Sequence, residues 1–161
     1  MTTASHPAQH HHMMGLTLHN TAVGIGAVFL LVGVLGFIPG ITTNYGAMTF
    51  AGHESGAMLL GVFQVSVLHN IVHLLFGVAG IAMARTDRLA RMFLLGGGAV
   101  YLLLWIYGLV VDMSANANFV PFNSADNWLH LILGVAMIGL GLWLGRDAVE
   151  TSAATKKEST A

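Results

Sequence analysis

The stretch VLHNIVHLLFG at residues 67–77 carries two histidines and an asparagine inside an apolar run, and ADNWLHLILG at residues 125–134 repeats much of that arrangement. With their flanks, both runs are continuous and lack the alternation of a half-buried strand. About 20 apolar residues in succession are typical of a membrane-spanning helix. The two stretches therefore predict helices in a membrane, with ionisable side chains where hydrocarbon disfavours them.

The composition of the whole chain agrees with an integral membrane protein. Of its 161 residues, 55% are hydrophobic and only 8% are charged, whereas a soluble domain carries about 25% charged residues. The net charge of −1 gives no indication of a nucleic-acid partner. The absence of cysteine excludes disulfides, thiolate metal sites and cysteine nucleophiles.

Four apolar runs predict an all-α polytopic protein with four transmembrane helices in a bundle, because lipid admits only helices and closed barrels. The predicted spans cover about 20–39, 65–84, 92–112 and 126–145. The remaining segments are a polar His-rich start at 1–18, a turn-rich loop at 40–57, an interfacial stretch at 56–64, a charged loop at 85–91, an Asn-rich loop at 113–125 and a disordered tail at 146–161.

The basic residues predict the orientation. All six lie in the middle loop or the tail, as Arg85, Arg88, Arg91, Arg146, Lys156 and Lys157. Cytoplasmic loops carry the excess of Lys and Arg in membrane proteins. We therefore expect a bacterial plasma-membrane protein with the middle loop and both termini in the cytoplasm.

A shift of 57 residues superimposes the two polar stretches. Asn70, His73, Leu74 and Gly77 then fall on Asn127, His130, Leu131 and Gly134, and His69 falls on Asp126. The first and third predicted helices also match each other, but more weakly and at a shift larger than 57 residues. The pattern predicts two hairpins as parallel repeats about an axis along the membrane normal.

These motifs, together with FIPGIT at residues 37–42 and the Arg-bearing loop, resemble the small four-helix actinobacterial membrane proteins grouped as domain-of-unknown-function family 4383. The resemblance covers residues 19–145, and the two His motifs are its most specific part. It implies a plasma-membrane protein of four spans and implies no activity.

The candidate site joins His69, His73, Asp126 and His130, with Asn70 and Asn127 as a structural polar cluster. One interpretation is helix packing, in which these side chains bond across to neighbouring helices and Asp126 caps helix four. A second is haem b held by His73 and His130. A third is a divalent metal held by the three imidazoles and Asp126.

The leading function is a non-enzymatic structural, accessory or interaction component of the membrane. Small-xxx-small pairs favour close helix packing, and they are Gly36 with Gly40, Gly80 with Ala84, and Gly141 with Gly145. Close packing argues against a large cofactor and leaves no cofactor as the first expectation. The rivals are a haem- or metal-binding protein and a small oligomeric transporter or channel. The expected partners are the lipid bilayer and either another copy of the chain or a second membrane protein, with no nucleic acid.

Overall fold

A computed structural model describes residues 17–158 of the chain, and the side chains of residues 17–146. Most of the His-rich start, residues 1–16, and the last three residues of the tail lie outside the described part. The helices are α1 (Leu18–Leu35), α2 (Val67–Met83), α3 (Asp87–Val110) and α4 (Ser124–Glu158). Three of them, α1, α3 and the part of α4 from Ser124 to Arg146, are long and apolar enough to cross a membrane. The apolar helix α2 is shorter, with 17 residues.

The first three helices begin at hydroxyl side chains that the sequence places just before each apolar run. Thr17, Ser66 and Thr86 each accept a hydrogen bond from the backbone N–H three residues ahead. Such N-caps satisfy one of the N–H groups that the first turn leaves without a partner. Because the cap residues fix the starts of the helices, they also fix where along each helix the buried side chains fall.

Glycines let α1 pack closely on α2 and let α3 pack closely on α4. A β-carbon added at Gly26 would lie 2.9 Å from the carbonyl oxygen of Gly77. One added at Gly98 would lie 2.9 Å from the carbonyl oxygen of Gly134. Each helix backbone therefore touches its neighbour directly, which is the packing that small residues permit in membrane proteins.

Three of the six residues in the predicted small-xxx-small pairs lie outside the helices: Gly36 and Ala84 are the C-cap residues of α1 and α2, and Gly40 lies further along the chain. Helix α1 ends at Leu35, and Gly40 lies in the following turn with φ +94° and open space around it. The hydroxyl of Thr42 donates to the carbonyl oxygens of Leu35 and Gly36, at 3.1 and 3.2 Å. The chain turns back here because these bonds satisfy carbonyl groups that the helix end leaves free.

The segment predicted as a turn-rich loop and an interfacial stretch contains a small antiparallel sheet. Its strands are β1 (Thr42–Thr43), β2 (Met58–Leu59) and β3 (Phe63–Gln64), in the order β1-β2-β3. The register pairs Thr42 with Leu59 and Leu59 with Phe63. Leu59 is buried with Ala57 and Val65 in a small core beneath the sheet. The fold is thus helical with one short sheet, where the sequence predicted helices alone.

Helix α4 runs further than the sequence predicts. The tail predicted to be disordered from residue 146 continues as helix to Glu158. Because this segment is polar, the apolar runs do not indicate a helix here, although Ala, Glu and Lys are strong helix formers.

An aromatic core lies between the helices. The rings of Phe29 on α1 and Tyr101 on α3 stack with centroids 5.3 Å apart and planes 3° from parallel. Phe76 on α2 meets both of these rings edge-on. This core separates the polar end of the helices, which the short sheet covers, from the end that bears the arginines.

Candidate functional site

Three polar side chains of α2 are buried against the neighbouring helices. His69 and His73 are 7% and 8% exposed, and Asn70 is fully buried. Residues four apart lie on one face of a helix, and the two imidazole rings have their centroids 4.2 Å apart. The VLHNIVH motif therefore directs both rings to the same side of α2.

The hydrogen bonds of α2 orient the imidazoles. Nδ1 of His73 donates to the carbonyl oxygen of His69 at 3.1 Å. Nδ1 of His69 lies 3.4 Å from Oδ1 of Asn70, which is a long hydrogen bond. In a neutral imidazole, a proton on Nδ1 leaves Nε2 as the acceptor. The Nε2 atom of His73 is therefore the one offered to a partner.

Helix α4 brings a third imidazole to the same place. His130 is 4% exposed, and its ring packs against Tyr101 at 5.3 Å and Phe122 at 4.9 Å between centroids. Its Nδ1 atom is buried and has no hydrogen-bond partner among the described residues. A buried polar atom without a partner is costly, and of the three Nδ1 atoms only this one lacks a hydrogen bond to the described residues.

The three histidines line one small cavity, which we call the imidazole pocket. Its volume is about 80 Å³. Besides the histidines, its walls are Val72, Phe76, Val100, Tyr101, Leu104, Val120 and Phe122. Small-molecule pockets usually have about 300 Å³ or more, so haem b does not fit between His73 and His130 in this arrangement.

Asp126 is occupied elsewhere. Its Oδ2 atom accepts from the backbone N–H of Asn123 and from that of Gln64, each at 3.0 Å. Oδ1 of Asn123 accepts in return from the N–H of Asp126 at 2.9 Å. These reciprocal bonds form a capping box at the start of α4, and the bond to Gln64 ties the sheet to that helix.

The predicted metal set is therefore not gathered around one point. His69, His73 and His130 share the imidazole pocket, whereas Asp126 is absent from its walls. Among the side chains described between residues 17 and 146, no group of three or more His, Asp or Glu residues is arranged to hold a metal ion.

The two asparagines serve the packing of the helix pairs. The side-chain amide of Asn70 lies against Gly36, and that of Asn127 lies against Gly108. Nδ2 of Asn70 and Oδ1 of Asn127 are buried and have no hydrogen-bond partner among the described residues. The glycine on the facing helix gives each amide its space.

Sequence reasoning missed Tyr101, Phe122 and Gln64. Tyr101 was visible as an aromatic hydroxyl in the middle of the third apolar run, where a polar tip is unusual. Phe122 and Gln64 lie in segments interpreted as loops, so only the fold brings them to the polar cluster.

The comparisons with known proteins concern the family alone. The family model described as "Domain of unknown function (DUF4383)" matches residues 19–143. No curated protein and no solved structure matches the chain. The resemblance noted over residues 19–145 is thereby confirmed for residues 19–143.

Proposed function

The chain belongs to the family of domain of unknown function 4383, and from this premise we propose that it is a non-enzymatic plasma-membrane protein of four spans with a structural or accessory role. Three helices have the length and hydropathy of spans. Helix α2, with 17 residues, meets the lower limit of about 17 for a span, and it is packed on α1 through Gly26 and Gly77.

The distribution of charge supports the orientation. Arg85, Arg88 and Arg91 lie where α2 meets α3, and Arg146 lies at the same end on α4. The segments before α2 and before α4 contain no Lys or Arg. By the positive-inside rule, the arginine end and both termini are cytoplasmic and the short sheet faces outward.

Matching contacts in the two helix pairs support a repeat. Gly26 lies by Gly77 as Gly98 lies by Gly134. Gly26 on α1 and Gly98 on α3 are 72 residues apart in the sequence, whereas Gly77 on α2 and Gly134 on α4 are 57 residues apart.

The asparagine contacts show the same two separations. Asn70 lies against Gly36 and Asn127 lies against Gly108, so the glycines are again 72 residues apart and the asparagines 57. The difference of 15 residues between the offsets corresponds to the longer first outer segment. We infer two parallel hairpins that pack around the stacked rings of Phe29 and Tyr101.

The observation that carries a structural role is the use of buried asparagines as packing elements in both hairpins. Each contact packs an amide against a glycine, which is the close approach that small residues permit between membrane helices. Asp126, the carboxylate that the sequence grouped with the three histidines, is engaged by two backbone N–H groups. The polar cluster thus holds helices and the outer sheet together.

Cysteine labelling tests the orientation cleanly, because the chain has no cysteine of its own. Asn116→Cys lies on the exposed segment before α4, and Asp87→Cys lies at the exposed start of α3. We expect a membrane-impermeant maleimide to label the first variant in intact cells and the second only after permeabilisation. The reverse pattern would overturn the orientation.

The role is tested on the purified protein in mild detergent. We expect no Soret band and no stoichiometric metal, together with lower melting temperatures for Asn70→Ala and Asn127→Ala. A Soret band that disappears in His73→Ala, or bound metal that disappears in His69→Ala, would replace the structural role with a cofactor-binding one.

A further inference from the structure

The turn between β2 and β3 contains a leucine in a backbone conformation that leucine rarely adopts. Leu60 has φ +54°, in the left-handed region where a bulky side chain is strained and where Gly, Asn and Asp are the usual residues. The other non-glycine residue with positive φ in the described part of the chain, Asn44, is of the expected type. Leu60 is also 63% exposed, so the protein gives its side chain little to pack against. A strained and exposed apolar side chain indicates a partner outside the chain.

Leu60 belongs to a small exposed apolar surface, which we call the sheet tip. It consists of Ile38, Leu60 and Val62, whose side chains are 37%, 63% and 47% exposed. The backbone N–H of Leu60 donates to the carbonyl oxygen of Ile41 at 2.9 Å. The turn of the sheet therefore lies beside the turn that follows α1.

The sheet tip continues the apolar surface of α1. Leu31 and Val34 on this helix are 56% and 49% exposed, and Ile38 follows them at spacings of three and four. Such spacings bring side chains to one face of a helix. The N–H of Ile38 donates to the carbonyl oxygen of Leu35 at 3.1 Å, so the chain keeps a helical turn as far as this residue. In the proposed four-span arrangement this face contacts lipid, and the sheet tip is its outer end.

The two helices that the sheet joins are short for a bilayer. At 1.5 Å per residue, the 18 residues of α1 and the 17 of α2 rise by roughly 27 and 26 Å, whereas the hydrocarbon core is about 30 Å thick. The segments that flank a short span compensate for such a mismatch. The sheet follows α1 and precedes α2 directly, so it lies where the helices have ended and the hydrocarbon continues.

The backbone of the sheet tip is hydrogen-bonded within the protein. Each of the three N–H groups from Leu60 to Val62 donates to a backbone carbonyl oxygen, at 2.9 to 3.1 Å. The carbonyl oxygen of Val62 accepts from Nδ2 of Asn123 at 2.7 Å. Hydrocarbon offers no partner to a backbone polar group. These bonds therefore let the turn leave water without a loss for the four groups.

The sheet tip also lacks the charge that would hold it in water. Glu54 is the single Asp, Glu, Lys or Arg in residues 36–66. It lines a different cleft together with Asn116 of the next outer segment. Charged side chains are costly in hydrocarbon, and the sheet tip meets no such cost.

We propose that the sheet tip inserts into the outer lipid leaflet and anchors the sheet at the boundary between hydrocarbon and headgroups. Its partner is the acyl-chain region of a phospholipid of any headgroup, because the sheet tip has no charged group to select one. Burial of the Leu60 side chain in lipid then offsets its backbone strain. The inference rests on the proposed four-span arrangement and does not depend on which side of the membrane the sheet faces.

The test uses single-cysteine variants of the full chain, which has no cysteine of its own. Leu60→Cys and Asn44→Cys each receive a nitroxide label in phosphatidylcholine nanodiscs. Electron paramagnetic resonance then compares collisions with molecular oxygen, which concentrates in lipid, and with a water-soluble nickel chelate. We expect the ratio of oxygen to nickel collisions to be several-fold higher at residue 60. Asn44 is the matched control, because it is an exposed turn residue of the same segment with φ +50°.

A third label distinguishes failure of the sheet tip from failure of the four-span arrangement. Leu75 is 64% exposed on α2, so Leu75→Cys should give a lipid-like ratio. A water-like ratio at residue 75 would overturn the span itself. A lipid-like ratio at residue 75 with equal, water-like ratios at residues 60 and 44 would overturn only the insertion. Few collisions with either reagent at residue 60 would assign the sheet tip to a protein partner and would equally overturn it.

The stability of a Leu60 variant gives an independent answer without a label. Asparagine adopts the left-handed conformation more readily than leucine, so Leu60→Asn should raise the melting temperature if the turn lies in water. In hydrocarbon its amide has no hydrogen-bond partner. We therefore expect Leu60→Asn to lower the melting temperature in nanodiscs, whereas the apolar control Leu60→Met leaves it nearly unchanged. A melting temperature of Leu60→Asn equal to or above that of the unaltered protein would contradict the proposal.

Discussion

The side-chain amide of Asn70 on α2 occupies the space that a β-carbon at Gly36 would need on α1. Asn70 is fully buried, and Gly36 caps the C-terminus of α1 in a right-handed helical conformation. Glycine is therefore required at residue 36 for space and not for its backbone angles. The contact makes the stability of the first hairpin depend on a residue without a side chain.

Gly36→Ala should destabilise the protein by about 1–3 kcal/mol, because the added methyl group forces the buried amide of Asn70 to move. Thermal unfolding in detergent, followed by circular dichroism, measures the change. Gly24→Ala is the matched control on the same helix, since a β-carbon at Gly24 meets nothing within 4 Å. The control should be neutral or slightly stabilising. Equal melting temperatures for the two variants would refute the packing role.

The second hairpin should show the same dependence as a measurable coupling. Gly108→Ala should cost about 1–3 kcal/mol in the unaltered chain and clearly less in an Asn127→Ala background, where the obstructing amide is gone. A double-mutant cycle of unfolding free energies gives the coupling. Gly96→Ala, on the same helix with open space around it, should show no coupling to Asn127→Ala. Additive effects of Gly108→Ala and Asn127→Ala would contradict the shared contact.

The sequence was informative about the helices because their signal is long and repeated. Uninterrupted apolar runs indicate all four helices, and a spacing of four brings the rings of His69 and His73 to one face. The family resemblance likewise followed from quoted motifs and is confirmed over residues 19–143. These features depend on neighbours along the chain, which is why the sequence reveals them.

Features that depend on distant partners escaped prediction. The strands of the short sheet are two residues long, which is too short for an alternating pattern to be recognised, so only their pairing identifies them. The contact of Asn127 with Gly108 joins helices whose register the sequence does not state. Asp126 was grouped with the imidazoles by the repeat, whereas the fold directs it to the N–H groups of Gln64 and Asn123.

Asp126 should matter for stability. Asp126→Ala deprives the N–H groups of Asn123 and Gln64 of their acceptor, and each such loss costs about 1–3 kcal/mol. The melting temperature should therefore fall substantially. Asp112→Ala is the control, because Asp112 accepts from Ser114 in a fully solvent-exposed turn, and it should have little effect. A drop for Asp126→Ala no larger than that for Asp112→Ala would show that the capping box is dispensable.

The histidines of the two hairpins should respond oppositely to replacement by phenylalanine. His130→Phe keeps an aromatic ring against Tyr101 and Phe122 and removes a buried nitrogen that has no partner in the described part of the chain, so stability should be unchanged or higher. His73→Phe removes the donor to the carbonyl of His69 and should cost about 0.5–1.5 kcal/mol. Unfolding of both variants in the same detergent tests the difference. A loss for His130→Phe as large as that for His73→Phe would mean that Nδ1 of His130 has a partner.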